Sequence, residues 1–165
     1  MNESNDIPIV RVEDIHQHTD QKVRLQGWLF NRRGSSKVQF IHLRDGSGFI
    51  QGVMGKDDVD EETFATARSL SQETAFVMTG TVSKEERAPY CGYELHAESI
   101  EIVSKSENYP ITKKAHGDAF LMDHRHLWLR SLKQNLILRV RATLIKAIRD
   151  YFDNNGFLLM DSPIF

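Results

Sequence analysis

The chain has 165 residues, 40% hydrophobic and 27% charged, with a net charge of −2. That size and balance fit one ordinary domain, or a small domain with part of another, and a globular, soluble chain rather than a disordered one. No apolar stretch approaches bilayer length, "MNESNDIPIVRVEDIHQ" lacks the pattern of a secretory leader, and Cys91 is a single cysteine, which together predict a cytoplasmic protein with no membrane segment.

The first elements read as strands. "KVRLQGWLFNR" alternates, with Val23, Leu25 and Leu29 of one parity, and Gly27 suits a bend or bulge in a long barrel strand. "KVQFIHLRD" is a second strand, and "DGSG" (45–48) supplies a turn through glycines that tolerate positive φ. "FIQGVM" is the third strand. "DDVDEETFATARSLS" reads as a helix, with acids at its start and Val59, Phe64, Ala67 and Leu70 at helical spacing. "TAFVMTGTVSK" and "YELHAESIEIVSK" are two more strands, separated by the loop "EERAPYCG". Three strands, a helix and two strands is the element order of the OB-fold, a five-stranded Greek-key barrel.

The character then changes. "SKSENYPITKKAHGD" (104–118) is a polar linker, and "FLMDHRHLWLRS" is a short helix or hinge. From Leu132 a helical stripe of Leu136, Val140, Thr143, Leu144, Ala147, Ile148, Tyr151 and Phe152 runs to the stop signal "NNG". "FLLMDSPIF" follows as a strand. The expected organisation is an all-β OB-fold domain at 1–105, a linker or hinge at 106–131, and at 132–165 a long helix plus strand that begin a second domain and end inside it.

Charge is uneven. Six basic residues and no acids lie between Lys22 and Arg44, whereas "KDDVDEE" holds five acids and one base. Either a one-sided basic surface or two ordinary solvated faces would give this pattern. Catalytic constellations are missing. Seven histidines include the pairs His16/His18 and His124/His126, but no cysteine or carboxylate spacing completes a metal set. "GFIQGVMGK" departs from the phosphate-loop spacing, and Cys91 has no evident base beside it.

Alternation makes one demand that a plain core does not explain. With Ile41, Leu43, Ile50 and Met54 inward, the outer face carries Phe40, His42, Phe49, Gln51 and Val53. An outward aromatic can stack on an unpaired base, glutamine can read a base edge, and arginine or lysine can hold phosphates. Alternatively, a loop covers Phe40 and makes a second small core.

"VRLQGWLFNRRGSSKVQFIHLRDGSGFIQGV" resembles the anticodon-binding barrel of the aspartyl-, asparaginyl- and lysyl-tRNA synthetases, through "GW", "F-I-x-L-R-D" and "G-x-x-Q". "QETAFVMTGTV", "RAP..GYEL", "NYPITKKAHGDAFLMDHRHLWLRS" and "NGFLLMDSPIF" look like the asparaginyl-tRNA synthetases in particular. The resemblance implies that Phe40 stacks on the central anticodon base, that Gln51 hydrogen-bonds it, and that Arg33, Lys37 and Val53 adjoin the anticodon. It also implies that Phe157 and Pro163 belong to class II motif 1, which forms the homodimer interface. The parent activity so implied joins asparagine to its tRNA through an adenylate, with ATP and Mg2+. Motifs 2 and 3 are absent from this sequence, so the chain is expected to be inactive alone and to need no cofactor, with the anticodon loop of the asparagine tRNA as its partner. Rival readings are a fragment of an aspartyl-type ligase, a standalone single-strand binder, and a partner-binding module working through the helix at 132–152.

Overall fold

The computed structural model describes residues 7–164. It divides into two units, 7–109 and 110–164. The expectation of no leader rests partly on residues 1–6, and that of a terminal strand partly on residue 165; these lie outside the described residues.

In the first unit, five strands close into a barrel in the order β1-β2-β3-β5-β4. They are β1 (Lys22–Gly34), β2 (Val38–Arg44), β3 (Phe49–Gly55), β4 (Ala75–Lys84) and β5 (Tyr93–Ser104). All pairs are antiparallel except β3 with β5. The alternating residues do what period-2 geometry requires. Val23, Leu25, Leu29, Ile41, Leu43, Ile50, Met54, Phe76, Met78, Val82 and Leu95 fill the interior, all 2% exposed or less. Each such burial stabilises the fold by about 1.5–3 kcal/mol before chain entropy is counted.

β1 is long because it serves two neighbours. Lys22–Trp28 pair with β4, and Trp28–Gly34 pair with β2. Gly27 lies where the strand changes partner, and a Cβ there would strike the carbonyl of Arg44. Gly27 thus serves a close strand approach, and the bulge falls at Phe30, between the pairs Leu29–Leu43 and Asn31–His42.

Helix α1 (Glu61–Ser69) is shorter than the expected segment. The Asp60 carboxylate accepts from the Thr63 amide at 2.8 Å and so starts the helix four residues into the acidic run. Phe64 and Ala67 then join the barrel core.

The β2–β3 turn corrects the glycine expectation. Neither Gly46 nor Gly48 has positive φ; among the described residues the glycines with positive φ are Gly92 and Gly156. The turn is instead held by a side chain. Asp45 Oδ1 accepts from the Ser47 amide and hydroxyl (both 2.7 Å) and from the Gly48 amide (2.8 Å). Its Oδ2 accepts from the Val12 amide at 2.9 Å, tying the turn to a 3-10 helix at Val12–His18. Burial opposes the Asp45 charge, but the hydrogen bonds from Val12, Ser47 and Gly48 outweigh it and hold the carboxyl below its ordinary pKa. The unfolded chain therefore binds this proton more readily. The contribution is complete at neutral pH and is lost as pH falls below about 4 towards the lower folded value. Asp45→Asn is expected to lose about 1–2 kcal/mol at neutral pH. In thermal unfolding, its deficit against the wild type should narrow towards about pH 3.

The second unit holds α2 (Asp118–Asp123), α3 (Arg125–Trp128) and α4 (Leu132–Asn154). Ser131 caps α4 by accepting from the Gln134 amide at 3.4 Å. The predicted stripe lies on α4, with Leu136, Val140, Leu144 and Ile148 each between 51% and 61% exposed. Residues 157–164 have no strand pairing, since an extended segment becomes a strand only with a ladder partner. Among the described residues, no helix is long and apolar enough to cross a membrane.

Candidate nucleic-acid interface

Cross-strand register sets two rows on the outer wall of the barrel. One row is Arg33, Phe40, Val53 and His96, from β1, β2, β3 and β5 in turn. The next is Asn31, His42, Gln51 and Glu94. Opposed residues share a face, so the alternation that buries Ile41 and Leu43 places Phe40 outside.

Phe40 is half-buried. The Arg33 guanidinium lies 5.2 Å from its ring centroid, a cation–π distance. The same guanidinium donates to Gln51 Oε1 at 3.3 Å, and Gln51 Nε2 donates to Glu94 Oε2 at 3.4 Å. Gln51 is consequently only 4% exposed. The residue faces outward, as its parity requires, but both ends of its amide are engaged by neighbours. His42 is also outward yet 6% exposed, because Tyr90 covers it. The Tyr90 hydroxyl and His42 Nδ1 share a hydrogen bond of 2.6 Å.

Tyr90 belongs to the β4–β5 loop, where it takes a left-handed φ of 89°. Its ring stacks on Phe49 at 5.4 Å, and Phe49 meets Phe30 edge-on at 4.9 Å. Burial pushes the Tyr90 phenol above its ordinary pKa, and the charge of Arg33 pulls it partly back.

The fold also sorts the basic run. Lys22 pairs with Glu98 at 2.6 Å, Arg24 with Glu101 at 3.3 Å, and Arg44 with Glu73 at 2.8 Å. Arg32 takes the inner parity and donates to Gln39 Oε1 at 3.1 Å, closing one barrel end. Arg33 and Lys37 remain as exposed cations at the β1–β2 end, and Arg33 lies beside Phe40. The basic surface is thus smaller than the sequence count implied, but it sits next to the aromatic ring.

Of the expected site residues, Arg33, Phe40, Gln51 and Val53 come together on one wall, and Lys37 occupies the adjoining turn. Phe157 and Pro163 lie in the second unit and are exposed. Sequence reasoning missed Glu94 and Tyr90. The parity of "YELHA" puts Glu94 outside, but only the parallel register with β3 sets it against Gln51.

Comparison with known proteins covers both units. Residues 23–103 match the model of the OB-fold nucleic acid binding domain, and residues 117–165 match that of tRNA synthetases class II (D, K and N). The chain is 47% identical over 157 residues to an asparagine--tRNA ligase of Lactobacillus gasseri, covering 95% of this chain and 36% of that protein. The structure of asparaginyl-tRNA synthetase from Pyrococcus horikoshii complexed with asparaginyl-adenylate is similar, with a TM-score of 0.86 and 34% identity, over 94% of this chain and 36% of that one. An aspartyl tRNA synthetase from Entamoeba histolytica shares the fold at 20% identity and a TM-score of 0.83, over 99% of this chain and 42% of that one. The chain spans about 36% of the length of the curated relatives it matches.

Proposed function

Because the chain belongs to the class II tRNA synthetases of the D, K and N group, we propose that its barrel binds the anticodon loop of the asparagine tRNA and serves asparagine–tRNA ligation. The observation that carries this reading is the Phe40 ring, held on the outer barrel wall beside Arg33 and above a hydrogen-bonded Gln51. The central anticodon base stacks on Phe40, flanked by Val53. Arg33 leaves Gln51 Oε1 for the incoming RNA, which frees that oxygen to accept from the base edge. Arg33 and Lys37 then neutralise phosphates.

In the whole ligase the reaction draws on ATP and Mg2+ to form an asparaginyl-adenylate. Among the described residues of this chain, no group of three or more His, Cys, Asp or Glu comes together to hold a metal. In the same reading the protein is cytoplasmic. The apolar stripe of α4, with Phe157 and Pro163, pairs two copies in the full-length ligase.

Competition between anticodon stem-loops tests the function. The chain should prefer the asparagine anticodon to a scrambled one; equal affinity would reduce it to an unspecific single-strand binder. Binding should also weaken with salt, because phosphate contacts release counterions. The slope of log K against log[salt] should become shallower by about 0.7 for each of Arg33→Ala and Lys37→Ala. Salt titration of the two variants measures this directly.

A further inference from the structure

We propose that Tyr90 is a second stacking platform, which receives the unpaired base next to the one on Phe40. This rests on the reading of the barrel wall as an RNA-binding face. Four observations lead to it. Tyr90 is 50% exposed although it is a large aromatic in a polar loop. It is also fixed rather than loose, with one ring face on Phe49 and its hydroxyl on His42. Holding a bulky residue at φ 89° is unfavourable, and such strain persists where the surroundings over-determine it. Here the stack and the hydroxyl bond do so, and they leave the ring presented at the surface.

Position supplies the fourth argument. His42 lies two residues from Phe40 on β2, so the two share a face about 7 Å apart along the strand. Tyr90 bonded to His42 therefore stands one pleat along from Phe40. Arg33 connects the two places, because its guanidinium covers Phe40 while its charge acts on the Tyr90 phenol. Two rings with a cation between them suit two successive bases and the phosphate that joins them. A purely structural Tyr90 would account for the Phe49 and His42 contacts but not for the exposure the residue keeps.

The test is a cycle between protein and RNA, read by fluorescence anisotropy on the full chain. The probe is a labelled stem-loop bearing the asparagine anticodon, with derivatives made abasic on either side of the central nucleotide. The proteins are wild type, Tyr90→Leu, Tyr90→Gly, Tyr90→Phe and Phe40→Ala. Tyr90→Gly removes the ring while relaxing the left-handed backbone, so it serves if Tyr90→Leu fails to fold. At one flank, the abasic change should weaken the wild type about tenfold and the Leu and Gly variants less than about twofold. Tyr90→Phe should bind like the wild type. Equal abasic penalties in wild type and ring-less variants at both flanks would overturn the proposal, as would a tenfold loss in Tyr90→Phe. If Phe40→Ala weakens binding while the Tyr90 cycle is additive, only this inference falls. If Phe40→Ala binds as the wild type does, the underlying RNA-binding reading falls with it.

Discussion

Phe40→Ala should weaken binding of the asparagine anticodon stem-loop by about 1–3 kcal/mol, roughly 5- to 150-fold in Kd. The size follows from what the ring does on the wall. On the proposed reading it offers a flat apolar face to a base whose alternative is water, and no other residue of its row has a comparable surface. Val53 beside it is too small to stack, and the imidazole of His96 lies beyond Val53 on β5. The loss should be specific to binding. Phe40 belongs to the outer face, so its removal leaves the barrel interior intact, and unfolding should shift by less than about 1 kcal/mol. Phe40→Leu separates stacking from apolar area, because it keeps much of the contact but not the π-face. Its affinity should fall between those of wild type and Phe40→Ala, as equilibrium titration would show.

The second large effect concerns the barrel itself. Arg44 and Glu73 form a two-armed pair, with bonds of 2.9 and 2.8 Å and side chains only 12% and 3% exposed. Glu73 sits before β4, where its amide also donates to the Leu29 carbonyl at 2.8 Å, so the pair joins the end of β2 to the approach to β4. Removing the carboxylate leaves the Arg44 charge buried without its principal counter-charge. Glu73→Ala is therefore expected to cost about 3–5 kcal/mol, measured by chemical denaturation. Replacing both partners together, as Arg44→Met with Glu73→Leu, should recover most of that loss, because neither charge then has to be kept out of water. A double variant as unstable as Glu73→Ala would show that the cost lies in shape rather than in the stranded charge.

Much of the barrel was legible from local pattern. Strand alternation placed Ile41, Leu43, Ile50 and Met54 in the core and turned Phe40 outward, since a pleat fixes parity whatever the sheet does next. Gly27 marked the place where β1 changes partner. What alternation does not carry is information about partners distant in sequence. The parallel seam of β3 with β5 brings Glu94 to Gln51 across 43 positions, and no local spacing encodes it. Three cations of the basic run are taken up by Glu73, Glu98 and Glu101, which lie 29 to 77 positions away. The Asp45 turn illustrates a different limit: its glycines drew attention, while the conformation rests on a carboxylate that also reaches Val12. At the site, residue types were legible but exposure was not. Gln51 and His42 have outward parity and are nevertheless covered, one by Arg33 and Glu94, the other by a loop whose course no periodicity predicts.

The central claim is that one base of an anticodon loop lies on Phe40, and a protein–RNA cycle addresses it most directly. Wild type and Phe40→Ala would each be titrated with the asparagine anticodon stem-loop and with the same RNA made abasic at its central position. The missing base should cost the wild type about tenfold and Phe40→Ala almost nothing, since ring and base contribute only together. The same penalty in both proteins, or none in either, would contradict it.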